Sequence, residues 1–511
     1  MRTHFARTWS GELDGIRARC VEVEVDIHVG LHSFLIVGLA DKALSEAKER
    51  VGAALKNSGM KPPSQENRKI VVNLAPADVK KTGSQYDAAI AVGYLLATGQ
   101  IREFPSAGKM FLGELALDGS FRAVSGALNV AVMAVARGMK ELYVPAANAA
   151  EAAIVRGIAV FPVGSLPSLV AHLEGRIPIS PQPPTELSGD DGLAGVDLSD
   201  VRGQESAKRA LLVAASGGHH LLMQGPPGSG KTMLAQALRG ILPPLTHDEA
   251  VELTQIYSAA GALDGAPYVS DRPFRSPHHS ASSPAVTGGG SRPRPGEITL
   301  AHRGVLFLDE LPEFRRDVLE SLREPLEAGR VTIARSRGSL SLPARFALVA
   351  AMNPCPCGHK DDPQKACSCG AHDIMRYRKK ISGPIMDRID MQIVVPRVEL
   401  DDLRPARPPL SAAGAGSDSA SVRSVVARVR AAQYARAGRL NADLDSRQCE
   451  SAVRLDGPAE AFIGRAWRGS LLSARGYYRV LKVARTVADI DGSSDVCERH
   501  LAEAFGYRLR E

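Results

Sequence analysis

The stretch HHLLMQGPPGSGKTMLAQALRGIL, residues 219–242, restricts the possible folds more than any other. LLMQ reads as a buried strand, GPPGSGKT fits the pattern G-x-x-x-x-G-K-[ST], and a helical pattern follows at once. Such a loop works only between a strand and a helix. Small residues let backbone N–H groups wrap phosphates, and the helix N-terminus faces their negative charge. The predicted cradle for ATP is Gly225, Pro226, Pro227, Gly228, Ser229 and Gly230. Lys231 would reach the β- and γ-phosphates, and the Thr232 hydroxyl would bind Mg²⁺. A glycine-rich turn can match by chance, but the strand before it and the helix after it argue for α/β architecture.

GVLFLDEL, residues 304–311, supplies the expected partner strand. Asp309 at its end can hold Mg²⁺ through water, and Glu310 can polarise an attacking water. Strand ends often carry acids, so this signal gains its weight from the phosphate loop. RFALVAAMNP is a third strand, ending at Asn353, whose amide can orient that water. An Asn before Pro is otherwise an ordinary turn residue.

Immediately behind Asn353 lie four of the chain's seven cysteines, Cys355, Cys357, Cys367 and Cys369, within CPCGHKDDPQKACSCG. Four soft ligands suffice for one tetrahedral Zn²⁺, although C-x-C is tighter than the usual spacing. His359 or His372 could replace one sulfur. Four idle thiols are the plain alternative. A metal knuckle here would stiffen the connection that follows Asn353 and could present Arg376, Arg378, Lys379 and Lys380 to a polyanion such as a nucleic acid.

The rest of the chain is ordinary for a soluble protein: 44% hydrophobic, 23% charged, with 63 Lys+Arg against 56 Asp+Glu. A net +7 permits a polyanionic partner without demanding one. AAIAVGYLLATG is too short to cross a bilayer, which takes about 20 residues. MRTHFARTWSGELDG carries no apolar signal core, so a cytoplasmic location without membrane contact is expected. Pro/Gly/Ser-rich stretches at 176–195 and 404–421 read as linkers. They divide the chain into an α/β region at 1–175, a core at 196–403 and a helical region at 422–511. In the first, VEVEVDIHVG and RKIVVNLAP read as strands. DKALSEAKERVGAALKNSG and DAAIAVGYLLATG read as helices, with Asp41 as an N-cap and Leu44, Ala47, Val51 and Leu55 on one face.

With these residues placed, the chain resembles the ComM/YifB family of magnesium-chelatase-like AAA+ ATPases. The resemblance runs over nearly the whole sequence and rests on VNLAPADVKKTGSQYD, RPFRSPHHSAS, PRPGEITLAHRGVLFLDELPEF, LREPLEAGRVTIAR and ISGPIMDRIDMQIVVP. It implies a hexameric ring motor: a helicase that migrates branched or single-stranded DNA in homologous recombination during natural transformation. It implies that Arg388 in IMDRID is an arginine finger acting on a neighbour's nucleotide, rather than a partner of Asp387 or Asp390. It also implies that Arg475 opens a helical lid as nucleotide sensor, with Arg479 and Lys482 as alternatives and Arg485 further along.

The stretch before Asp309 resembles the family's insertion, and GRVTIARSRGSLSLPAR (329–345) reads as a β-hairpin. Their basic residues, Arg272, Arg275, Arg292, Arg294, Arg335 and Arg337, suit phosphate contact. His278 and His279 could touch substrate or an acidic neighbour, and with no carboxylate partner in view they are expected to do no chemistry. The N-terminal region resembles a Lon-protease-type, ribosomal-S5-like domain without its catalytic pair. Ser84 is out of register, Asp87 stands near the nucleophile's place, and Leu128 replaces the lysine, so no amine can accept a serine proton. A metal-chelatase ATPase subunit and an AAA+ remodelling chaperone are the competing functions. DNA-stimulated hydrolysis separates the first reading from both.

Overall fold

The computed structural model describes residues 4–38, 44, 46–65, 67–77, 81–187, 195–289, 294–335, 338–360, 362, 364–398, 418–468 and 473–508, without the side chains of 335 and 338. Asp41, Arg292, Arg337, the Arg335 side chain and all but 418–421 of the second linker therefore lie outside the described residues. The chain divides into two compact units, Met1–Ser188 with Thr246–Ser270, and Gly189–Leu245 with Asp271–Glu511.

In the first unit, β1 (Phe5–Asp14) and β2 (Arg17–Val29) form an antiparallel pair. β2 carries the sequence alternation literally: Val21, Val23, Val25 and Ile27 are buried, while Glu22, Glu24 and Asp26 point the other way. With β3 (Ser33–Val37) and β4 (Arg68–Ala75) it makes a sheet of order β1-β2-β4-β3. Helix α1 (Ala47–Asn57) buries Ala47, Val51 and Leu55 of the face read from the sequence, and Leu44, ahead of the helix, is buried as well. Helix α2 (Asp87–Thr98) is apolar nearly all round and stops at Gly99, whose φ of 68° is the left-handed cap that glycine allows.

The residues considered for a protease dyad have structural partners. Ser84 Oγ donates to Glu114. Asp87 is buried and takes a two-pronged bond from Arg50 at 2.7 and 3.0 Å. Burial pushes the Asp87 carboxyl up to about 6 despite that guanidinium. Leu128 is enclosed in α3 (Ala127–Ala136).

A second, parallel sheet holds β5 (Lys109–Phe111), β6 (Glu141–Pro145) and β7 (Ala159–Val163), with α4 (Ala146–Ala152) between the last two. Residues 176–187, read as the start of a linker, have neither helix nor strand yet are bonded along this sheet. Gln182 N donates to Val160 O at 2.7 Å, and Thr185 N to Ala153 O at 3.1 Å. Prolines leave such a segment few N–H groups to satisfy, so an extended path along existing carbonyls suffices.

The insert Thr246–Ser270 joins this unit through a helix, His247–Ala260, opened by a capping box of Thr246 and Glu249. Its Ser258 carbonyl accepts from Gly126 N at 2.9 Å, and Asn129 Nδ2 donates to Gln255 O at 3.0 Å. Glu151 accepts from Ser258 Oγ at 3.3 Å, and burial pushes its carboxyl up to about 7. A carboxyl raised on folding contributes stability that is present in acid and lost as pH rises through 7. The expected loss between pH 5 and 8 is about 3 kcal/mol from this group. Thermal melts of the full chain across that range should show a flatter slope in Glu151→Gln than in the wild type.

In the second unit, β8 (Leu221–Gln224), β9 (Phe274–Arg275) and β10 (Val305–Leu308) belong to one parallel sheet. A hairpin of β11 (Arg330–Arg335) and β12 (Gly338–Pro343) precedes β13 (Ala347–Met352) and β14 (Met391–Val394). The sheet order is β9-β10-β13-β8-β14. Strands covered on both faces read as unbroken apolar runs, and all four residues of VLFL are buried. Helices α6 (Glu205–Gly217) and α7 (Lys231–Ile241) flank β8 in sequence.

The C-terminal region is helical: α9 (Ser419–Ala437), α10 (Gly457–Arg468), α11 (Ala474–Ile490) and α12 (Glu498–Gly506), with α8 (Ala371–Arg378) ahead of them. It begins three residues earlier than the sequence division at 422. Val426, Val480, Val483, Val487 and Leu501 join one core with Met223, Phe307 and Val349 of the sheet. No described helix is long and apolar enough to cross a membrane.

Candidate nucleotide-binding site

The loop after β8 folds as the sequence predicts. Gly228 and Gly230 take φ of 77° and 87°, and Gly230 opens α7. Gly225 has no room for a side chain, because a Cβ there would stand 2.2 Å from the Val395 carbonyl oxygen. Lys231 is largely buried, and its ammonium donates to the Gly225 and Pro226 carbonyls at 2.9 and 2.8 Å. Burial lowers its pKa, opposed by Asp309 and Glu310.

Thr232 Oγ1 lies 3.4 Å from Asp309 Oδ2. These two oxygens, at a strand end and a helix start, are what a Mg²⁺ ion shared with phosphate would use. Asp309 Oδ1 accepts from Glu310 N at 2.9 Å. Glu310 itself adopts a left-handed φ of 51°, a conformation that costs a non-glycine residue about 1–2 kcal/mol. Strain of this size at a strand end is typical of functional positions. The strand β13 runs beside β8, with Gly225 N donating to Met352 O at 3.1 Å, so Asn353 emerges next to the loop.

The acidic neighbour that the sequence allowed for His279 without naming it is Glu310. His279 Nδ1 stands 3.4 Å from Glu310 Oε2, and the ring meets Phe314 edge-on. The contact joins the end of β9 to the end of β10, neighbours in the sheet but 31 positions apart in sequence, which is why spacing alone gave no hint.

Arg388 is placed elsewhere. β8 and β14 are parallel with Leu221 opposite Met391 and Gln224 opposite Val394. The phosphate loop follows the end of β8, whereas Arg388 precedes the start of β14. Four residues at about 3.3 Å each separate those two edges by about 13 Å. The ion-pair alternative with Asp387 or Asp390 is corrected: Arg479 holds Asp387 at 3.4 Å and His219 holds Asp390 at 3.3 Å. Arg388 pairs instead with Glu327, donates to Pro384 O at 2.7 Å and leaves its buried Nε without a partner.

The hydrogen bond from Arg388 draws the Glu327 carboxyl down, and Arg475 adds to it. Of the alternatives for the lid, Lys482 donates to Ala442 O at 3.0 Å. Arg485 is buried against Asp489 and the Ser494 carbonyl.

Two arginines expected to face phosphate are used internally. Arg272 donates to the carbonyls of Pro243, Arg303 and Pro244, and Arg275 forms a fork with Glu297 at 2.6 and 2.7 Å. A guanidinium with five donors satisfies loop carbonyls that no secondary structure pairs. Arg294 is exposed. In the basic run, Arg376 pairs with Asp373 and Lys380 with Glu313, while Arg378 and Lys379 are exposed.

Cys355, Cys357, Cys367 and Cys369 bring their sulfurs within 4.8 Å of one another. Cys355 Sγ lies 3.4 Å from Cys357 and 3.6 Å from Cys367, and Cys357 lies 3.6 Å from Cys367. Four sulfurs about 2.3 Å from one Zn²⁺ stand about 3.8 Å apart in a tetrahedron, so the donor set fits that ion. The backbone N–H of His359 and that of Ser368 hold the Cys357 thiol down to about 5. The histidine alternative does not hold: His359 Nδ1 turns to Asp362 at 3.1 Å, and the cluster contains cysteines alone.

A phosphate loop, an acidic strand end and an amide strand end on this sheet order define an AAA+ protein of the magnesium-chelatase type. The family descriptions that match agree: "Magnesium chelatase, subunit ChlI" over residues 197–403, "Subunit ChlI of Mg-chelatase" over 23–148, and "Magnesium chelatase, subunit ChlI C-terminal" over 416–508. The Competence protein ComM of Haemophilus influenzae is 42% identical over 497 residues, covering 97% of this chain and 95% of that protein. The Uncharacterized protein YifB of Escherichia coli is 42% identical over 494 residues, covering 97% and 95%. The Magnesium-chelatase 38 kDa subunit of Rhodobacter capsulatus is 30% identical over 177 residues, covering 31% of this chain and 50% of that protein. The chain belongs to the ComM/YifB family.

Proposed function

We infer that the chain is an ATP-hydrolysing motor that assembles as a ring, a homo-hexamer, and drives branch migration of branched or single-stranded DNA in the cytoplasm. The observation that carries this reading is the division of the machinery. Lys231, Thr232, Asp309, Glu310 and Asn353 follow the adjoining ends of β8, β10 and β13, while Arg388 stands at the opposite strand ends beside Glu327. That separation supports a pocket completed by the Arg388 of a neighbouring copy.

In this scheme Lys231 leaves the loop carbonyls for the β- and γ-phosphate oxygens of ATP. Thr232 and Asp309 would hold Mg²⁺, which when bound would neutralise phosphate charge. Glu310 takes the proton of the attacking water, and Asn353 orients that water. The incoming guanidinium stabilises charge that develops on the transferred phosphoryl group. Arg475, at the start of α11, is read as the lid's nucleotide sensor. Zn²⁺ at the four cysteines would serve structure. The N-terminal unit is read as a Lon-type, S5-like scaffold without protease chemistry. A role in recombination during natural transformation draws on the relative named as a competence protein.

The matches to ChlI favour a second reading, the ATPase subunit of a metal chelatase. A four-way-junction assay separates the two. The wild type should dissociate the junction with ATP and raise its turnover on DNA, and Lys231→Ala should do neither. Turnover indifferent to DNA and dependent on a porphyrin-binding partner would favour the chelatase.

A further inference from the structure

We propose that the four-cysteine knuckle is one wall of the phosphate cradle, so that zinc binding and nucleotide binding are thermodynamically coupled. The proposal rests on the phosphate loop being the nucleotide site.

The direct contact is Gly358, inside the knuckle, with a left-handed φ of 83°. A Cβ at Gly358 would stand 2.7 and 2.9 Å from Cδ and Cγ of Pro227, and 3.9 Å from Cγ of Asn353. Knuckle backbone is therefore seated against both the phosphate loop and the amide that follows β13. The turn that carries Gly358 is held by one backbone bond and by bonds to sulfur on either side of it. Gly358 N donates to Cys355 O at 3.0 Å, Lys360 N to Cys355 Sγ at 3.3 Å, and Cys357 N to Cys369 Sγ at 3.4 Å. The last of these bonds spans the two C-x-C pairs, which a shared metal would keep together.

A second connection runs round the other side of the loop. Arg397 donates to Gln364 Oε1 at 2.7 Å and pairs with Asp362 at 3.4 Å, both within the knuckle. The adjacent Pro396 carbonyl accepts from Gln204 Nε2 at 2.6 Å, and the same amide reaches Ser229 O at 3.5 Å. Knuckle backbone thus bears on the phosphate loop at Pro227, and Arg397 ties the knuckle to the segment whose Pro396 carbonyl holds the Gln204 amide that reaches Ser229. Releasing the metal frees the turn, and the loop must then pay its own ordering entropy when phosphate binds.

Coupling of this kind is reciprocal: the factor by which zinc tightens nucleotide binding is the factor by which nucleotide tightens zinc. Contacts of this extent typically give about 5- to 150-fold. The test uses the full chain loaded with one zinc per protomer and the same chain stripped by a chelator and re-purified. A fluorescent ATP analogue with Mg²⁺ is titrated into each, with circular dichroism confirming that both are folded. The stripped protein should bind about tenfold more weakly and recover on adding zinc. Conversely, a non-hydrolysable ATP analogue should slow zinc transfer to a colorimetric chelator.

Arg397→Ala, which imposes no backbone strain, should keep its zinc while weakening nucleotide binding and shrinking the effect of zinc removal. Gly358→Val should keep four cysteines and lose affinity with zinc still bound. Equal affinity in loaded and stripped protein, or a chain that takes up no zinc, overturns the proposal. Failure of every form to bind the nucleotide overturns the underlying site assignment instead.

Discussion

Equal mixtures of Arg388→Ala and Glu310→Gln chains are expected to hydrolyse ATP, although neither variant does so appreciably alone. Each pocket takes Lys231, Asp309, Glu310 and Asn353 from one copy. Arg388 precedes the far strand edge, about 13 Å away along the strands, and in the proposed ring would serve a different pocket. Alone, Arg388→Ala should lower turnover by about 10³–10⁵, the range for a missing arginine finger, with nucleotide affinity kept. In a randomly mixed ring with head-to-tail contacts, about a quarter of the interfaces join an intact pocket to an intact arginine. Steady-state phosphate release from the mixture should therefore exceed the sum of the separate variants by orders of magnitude. Strictly additive rates would return Arg388 to the Glu327 pair as a structural residue.

Glu310→Gln carries the second large effect. The amide keeps the size of the side chain and its reach toward His279, but it cannot accept a proton. Loss of a positioned general base costs about 10²–10⁴ in rate. The variant should bind the fluorescent ATP analogue as the wild type does and retain it unhydrolysed in single-turnover experiments. The effect should appear in kcat and leave Kd alone, since Glu310 touches neither Lys231 nor the loop carbonyls that Lys231 uses. Wild-type turnover by Glu310→Gln would move the base to another residue.

The pocket was legible because its parts are local in sequence. GPPGSGKT lies between LLMQ and a helix, VLFL ends in Asp309–Glu310, and the strand to Met352 ends at Asn353; each motif carries its own element. The hairpin 330–343 was legible for the same reason, two alternating runs either side of a turn. Partners set by the sheet order were not. Glu327 meets Arg388 across 61 positions, and His279 meets Glu310 only because β9 lies beside β10. Arg272 and Arg275 looked like free cations because composition reports charge and says nothing of the carbonyls and carboxylate that occupy them. The insert 246–270 falls in sequence inside the nucleotide-binding core, yet Ser258 and Gln255 bond to the N-terminal unit. No periodicity in that helix names its neighbour.

The cysteines illustrate the intermediate case. Ligand number and type could be read from C-x-C twice over, and the fit of the sulfur spacing to one metal had to come from coordinates. That Gly358 rests on Pro227 was beyond sequence altogether, since it depends on a loop of one motif folding back on another.

Sharing of the hydrolytic machinery between copies is tested most directly by measuring turnover per chain during dilution, with mass followed by sedimentation in the same buffer and saturating Mg-ATP. Turnover should vanish as the assembly dissociates and return in step with it on concentration or on adding DNA. An undiminished rate from chains that sediment as monomers would contradict the account.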